Sequence, residues 1–245
     1  MKIISNKKWL TVLSAAALLL PLSAAAETYK PAFFDFSAEQ LVAKIDATSI
    51  SKAATLYCQA EIDVNGAPDR VKCYDKASNT DLVMQTQQAL IGLGFTAAQV
   101  DNQKVPVRMN FRVALNVSEH GPVAALIPNL GSMQEQYGRD YIAPQERLDV
   151  SDWYQRYSDN SSVNGGAFLD DAPLSRVAAT IEEDGRPTIV RTVDADRAYK
   201  RDATVVQSAL KRSRFIPGFI DDKPVPMGYL AVVNYGGTGQ AVSSR

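Results

Sequence analysis

The chain holds one histidine, His120, in the run Ser118-Glu119-His120-Gly121-Pro122. One histidine is enough for a Ser–His–Asp device. No serine here lies in a nucleophile-elbow context, however, and a histidine beside Gly and Pro is expected in a surface loop. Cys58 and Cys73 are the only cysteines, and with one histidine they cannot build a Cys/His metal site. Asp170-Asp171 and Asp221-Asp222 adjoin turns but lack the spaced ligands of a calcium loop. Gly236-Gly237-x-Gly239 is followed by no helix, so it is no phosphate cradle. Lys211, Arg212 and Arg214 gather at the end of a predicted helix, where cations complement the dipole. The expectation is a chain that is not an enzyme, with no cofactor and no metal. A small-ligand or catalytic site around His120 and Trp153 is the lesser alternative.

The start of the chain bears on compartment. Lys2, Lys7 and Lys8 precede an apolar run from Trp9 to Leu22, and Ser23-Ala24-Ala25-Ala26 follows. That is the layout of a secretory signal peptide cut after Ala26. The rival is a retained membrane anchor over Trp9–Ala26, at the lower edge of a spanning length. Without the first 26 residues, 23 basic residues face 27 acidic ones, a net charge of −4. Such a balance gives no reason to expect nucleic acid as a partner.

The two cysteines fit an oxidising compartment. They are equidistant from Asn65-Gly66, a hairpin-turn dipeptide. A turn on those two residues pairs 64 with 67, 60 with 71 and 58 with 73. Cys58, Ala60, Ile62 and Val64 then share one strand face, and Cys73 sits across from Cys58. The expected outcome is a structural disulfide, the alternative being two buried thiols.

Two stretches match at one spacing. Gln87-x-Ala89-Leu90, Phe95 and Val105-Pro106 answer Gln207-x-Ala209-Leu210, Phe215 and Val225-Pro226 at an offset of 120 positions. Ala60-x-Ile62 and Gly66-x-Pro68 answer Ala179-x-Ile181 and Gly185-x-Pro187 at an offset of 119. A shared spacing over about sixty residues implies two copies of one folding unit. Each predicts hairpin, helix, strand. In the first unit, Asn79 or Thr80 caps a helix with Leu82, Thr86, Ala89, Leu90 and Leu93 on one face. In the second, a helix near 202–213 turns Val206, Ala209 and Leu210 inward, and a last strand runs Met227–Tyr235.

Ser37-Ala38-Glu39-Gln40 predicts a capping box opening a short helix through about Ile45. Asp149–Tyr157 predicts a helix, with Trp153 and Tyr157 docking on one face. The expected organisation is a signal peptide (1–26), an extension with a short helix (27–56) and a first domain (57–117). A partly helical connector (118–175), a second domain (176–235) and a flexible tail (236–245) complete it. The fold class expected is α+β, with each helix covering one face of a small antiparallel sheet.

The second unit resembles the TonB C-terminal domain family. Ile181-x3-Gly185, Ala209-Leu210, Arg214-Phe215-x-Pro217, Asp222-Lys223-Pro224-Val225-Pro226 and the strand to Tyr235 carry the resemblance. In the first unit Thr96-Ala97 stands where the family has a proline after the aromatic. Together the units cover about 120 residues. The resemblance implies tandem two-layer domains in the periplasm of a Gram-negative bacterium. Its best-known members grip an extended peptide of an outer-membrane transporter as an added strand. A long Pro-rich spacer, normal in transducers of that family, is absent from this sequence.

An edge strand presents unpaired N–H and C=O groups that a partner strand can satisfy. The strand matching the family's peptide-binding edge is Leu230, Ala231, Val232, Val233, Asn234 and Tyr235. The expected function is therefore a soluble periplasmic protein-binding module. Its partner would be an outer-membrane transporter or another envelope protein. The alternatives are an anchored energy transducer and an edge covered by the chain itself.

Overall fold

Pro68, Gly66 and the alternation around Cys58 set a hairpin, and the structure builds the first unit upon it. A computed structural model describes residues 27–77, 79–150, 174–195 and 197–234. Positions 1–26 therefore lie outside the described residues, as do Trp153, Tyr157, Asp159–Gly166, Asp170-Asp171 and the tail from Tyr235. Among the described residues no helix is long and apolar enough to cross a membrane. The architecture is mixed α+β, with more of the described residues in small antiparallel sheets than in helices.

Two short strands, β1 (Tyr29–Lys30) and β2 (Phe33–Phe34), lead into helix α1 (Ala38–Val42). Ser37 and Gln40 form the expected capping box, each satisfying the other's backbone N–H. Strands β3 (Ala54–Ile62) and β4 (Pro68–Asp75) make the hairpin, and helix α2 (Thr80–Ile91) follows, capped by Asn79. Three short strands come next: β5 (Phe95–Thr96), β6 (Ala98–Val100) and β7 (Gln103–Val105). The long β8 (Val107–Ser118) then lies beside β3. Leu82 and Leu90 of α2 are buried in one core with Leu56, Val71, Met109 and Phe111 of the sheet. Phe34 stacks edge-on against Phe111 with centroids 5.4 Å apart, so the N-terminal aromatics pack on this core.

The second unit repeats the order. Strands β11 (Leu174–Ile181) and β12 (Pro187–Ala195) form its hairpin, and helix α4 (Lys200–Leu210) packs upon them. Strands β13 (Phe215–Ile216), β14 (Gly218–Ile220) and β15 (Lys223–Val225) precede β16 (Met227–Asn234), which pairs with β11. Ala203, Val206, Ala209 and Leu210 are the buried face of α4. Between the units lie β9 (Gly121–Ile127), a short helix α3 (Gln134–Tyr137) and β10 (Gln145–Arg147).

The matched residues have matched roles. Gln87 Oε1 accepts the Cys73 N–H at 2.8 Å, and Gln207 Oε1 accepts the Thr192 hydroxyl at 3.2 Å. Each glutamine thus ties its helix to the second hairpin strand. Gly66 (φ 84°) and Gly185 (φ 69°) accept the N–H of Phe95 and Phe215 at 2.9 and 3.0 Å. A Cβ on either would come within 1.9 or 2.2 Å of a phenylalanine carbonyl oxygen. Only glycine fits both the dihedral and the approach.

Cys58 pairs with Cys73 in register, and the two form a disulfide. The turn departs from the expected 64-with-67 pairing. Asp63 closes it instead: its N–H donates to the Ala67 carbonyl, and its carboxylate accepts from Asn65 and Ala67. That shifts Ile62 opposite Pro68. A bulge at Arg70, in the left-handed region (φ 45°), restores the register before the cysteines. The second hairpin bulges at the equivalent Ile189 (φ 48°) and pairs Val177 with Thr192.

The stretch between the units, expected as a partly helical connector, holds strands β9 and β10 and the short helix α3 among its described residues. β9 lies along β8 from Arg112 to Ser118, and β10 pairs with β8 on one side and β13 on the other. Small apolar residues in Val123-Ala124-Ala125-Leu126 suit an outer strand without showing a two-residue period. Leu148–Val150 form a 3₁₀ turn, and the rest of the helix expected over Asp149–Tyr157 lies outside the described residues.

Candidate functional site

Each unit begins with a short leading segment laid against its own small strands. β1 pairs with β6 and β2 with β5, through Lys30–Gln99 and Phe34–Phe95. In the second unit Ile142 bridges Phe219, and Glu146 pairs with Phe215. Tyr29 thus corresponds to Tyr141 and Phe34 to Glu146, at an offset of 112 positions. Gln145 clasps the two leading segments together. Its side chain accepts the Ala32 N–H and donates to the Ala32 carbonyl, both at 2.8 Å.

Where the first unit has Phe34, the second therefore buries a carboxylate. Glu146 is 0% exposed. It accepts the Tyr229 hydroxyl at 3.0 Å and the Ser213 hydroxyl at 3.3 Å, and lies 3.4 Å from an Arg108 nitrogen. Burial, then the negative charge of Glu146, holds the Tyr229 phenol well above its ordinary pKa. A buried pair of this kind is costly to break because the remaining ion is left uncompensated. It joins β8, β10 and β16, so it fixes how the units meet.

The last strands of the two units differ at their outer edges. β8 is flanked there by β9 and β10. The sheet of the second unit has the order β12-β11-β16, and among the described residues no strand pairs with the outer edge of β16. Of the residues expected to bind a partner, Leu230 through Asn234 lie on this strand, and Tyr235 is outside the described residues. Ala231 and Val233 pack toward α4 in the second core. Val232 is only 3% exposed on the opposite side of the strand, and Leu230 is half-buried.

A cavity of about 390 Å³ separates β8 from β16. Asn110 and Arg112 of β8 form one wall, and Gly228 and Leu230 of β16 another. Met133 and Tyr141 contribute from the inter-unit segment. Neither Asn110, Arg112 nor the segment from Asn129 to Tyr141 stood out in the sequence. The alternating polar stripe Arg108, Asn110, Arg112 along an otherwise apolar strand was the signal that could have found them.

The other candidates are dispersed. His120 is exposed in the β8–β9 turn, its N–H donating to Ser118 Oγ, while the Ser118 hydroxyl donates to Gly121. Asp221 and Asp222 are exposed, both left-handed, in the β14–β15 turn. Arg212 and Arg214 donate to carbonyls of Ser208 and Ser213 at the end of α4. Among the described residues no group of three or more His, Cys, Asp or Glu is assembled.

No family model, no curated protein and no solved structure matches this chain.

Proposed function

We propose that the chain is an exported, soluble periplasmic module of the TonB C-terminal type that binds an envelope protein by strand addition. The observation that carries this reading is the asymmetry of the last strands. The outer edge of β8 is covered by β9 and β10, whereas that of β16 has no strand partner among the described residues. A peptide laid antiparallel or parallel there would satisfy backbone groups and add a fourth strand to a three-stranded sheet. The disulfide between Cys58 and Cys73 agrees with an oxidising compartment. The duplicated hairpin, helix and strand agree with the tandem arrangement.

The partner is an extended segment of an outer-membrane transporter or of another envelope protein. Immobilised transporter peptides should retain the wild-type protein and lose most of it on Val232→Pro, which removes a backbone donor from β16. Because Val232 is buried, the same peptides N-methylated on alternate amides provide a second test that leaves the protein intact. Equal retention by normal and N-methylated peptides would exclude strand addition.

A further inference from the structure

The cavity between β8 and β16 has a chemical polarity of its own. Arg112 Nε donates to the Asn129 carbonyl at 3.1 Å, and its Nη2 donates to Asn129 Oδ1 at 3.1 Å and to Gln134 Oε1 at 2.9 Å. Each of these acceptors is neutral. Among the described residues no carboxylate pairs with this guanidinium, and Nη1 has no acceptor. Asn129 is itself satisfied, with its amide donating to the Arg139 and Tyr141 carbonyls. Neutral groups therefore hold the half-buried Arg112 in place, and its charge has no carboxylate partner among the described residues.

Two positions along the same strand face, Asn110 is 6% exposed and its Oδ1 has no hydrogen-bond partner. A buried acceptor left unpaired costs roughly 1–3 kcal/mol. A ligand donor in the cavity would recover that. Across the cavity, β16 carries Gly228 and Leu230 at the positions equivalent to Arg108 and Asn110, by the offset of 120. One wall is thus polar and cationic, and the facing wall apolar or empty of side chain. The volume falls within the roughly 300 to 1,000 Å³ of small-molecule pockets.

We infer that this cavity binds a small organic carboxylate with an apolar body and a hydroxyl next to the carboxylate. The carboxylate takes Arg112 Nη1, the hydroxyl donates to Asn110 Oδ1, and the apolar body lies against Met133, Tyr141 and Leu230. This site goes beyond the strand-addition reading and does not depend on it.

Phenyllactate is a suitable probe, titrated by calorimetry into the purified protein. Saturable binding of one equivalent is expected. Phenyllactamide should bind about 10-fold more weakly or worse, having lost the charge-assisted contact. 3-Phenylpropanoate, which lacks only the hydroxyl, should fall between them. Gly228→Val fills the space without touching the polar wall. Gly228 is outside the left-handed region, and its added Cβ would sit 3.7 Å from Met133 Sδ, an ordinary contact. That variant should fold as the wild type and lose phenyllactate binding. Arg112→Gln should lose the preference for carboxylate over amide. No binding up to about 10 mM, equal binding of acid and amide, or undiminished binding by Gly228→Val would each overturn the assignment.

Discussion

The Glu146 carboxylate accepts the Tyr229 hydroxyl at 3.0 Å across the junction of the two units, with Glu146 fully buried. Glu146 stands at the position that Phe34 occupies in the first unit, and Tyr229 at that of Met109. The second unit thus carries a polar pair, shared with Arg108 of the first, at two positions that are apolar in the first. The two units are joined through chemistry that neither could satisfy alone.

Removing one partner from that junction should cost far more than trimming its hydrogen bond. Tyr229→Phe is expected to destabilise the fold by about 1.5–3 kcal/mol, the loss of a hydrogen bond to a charged group. Glu146→Ala should cost about 3–5 kcal/mol, because it removes a buried charge partner of Arg108 together with the acceptor of Tyr229 and Ser213. Urea unfolding of both single variants and the double variant measures the coupling. Additive losses would mean that the two residues act independently.

Glu61 sets a pH dependence. It lies opposite Arg108 in the β3–β8 ladder and 4.0 Å from Arg70. Burial pushes its carboxyl from an ordinary 4.5 up to about 7, against the pull of Arg108 and Arg70. A raised folded-state pKa means that the folded chain holds this proton more tightly than the unfolded one. The stabilisation is full below about pH 4.5 and is lost as pH rises through about 7. Glu61→Gln should remove that decline and be more stable than wild type above pH 7, by on the order of 1–3 kcal/mol. Parallel unfolding curves for the two proteins from pH 4.5 to pH 8 would contradict it.

Ile189 sits in the left-handed region at φ 48° and is 73% exposed. A β-branched residue gains little there from burial and bears the steric penalty of that backbone. Ile189→Asn keeps the bulge and relieves the strain, so the melting temperature should rise, corresponding to about 1 kcal/mol. A lower melting temperature would show that the isoleucine makes a contact that outweighs its backbone cost.

Much of this architecture was legible because several signals in the sequence agreed. Cys58 and Cys73 were placed opposite each other by turn position, although the turn is closed by Asp63 and the register recovers only through the bulge at Arg70. The one-residue offset at the turn and the extra residue at the bulge cancel. The helix faces of Leu82 and Leu90, and of Val206 and Leu210, followed from the helical period. The leading segment 141–146 of the second unit was not legible. Two- and three-residue strands carry no period, and of its residues only Tyr141 matches its counterpart, Tyr29. Glu146, between Pro144 and Leu148, has the local pattern of a solvated charge. Its burial depends on Arg108, Ser213 and Tyr229, which come from three distant stretches of chain. The polar stripe of Asn110 and Arg112 marked a face without saying what would lie across from it.

Whether the outer edge of β16 receives a partner strand is tested most directly by amide hydrogen exchange. The protein would be compared alone and with a saturating extended peptide from the periplasmic face of an outer-membrane transporter. Alternate amides of Met227–Asn234 should exchange freely alone and become protected with the peptide. Amides of β11, already paired on both sides, should change little. Protection of every β16 amide in the free protein, or no change on adding peptide, would contradict strand addition at this edge.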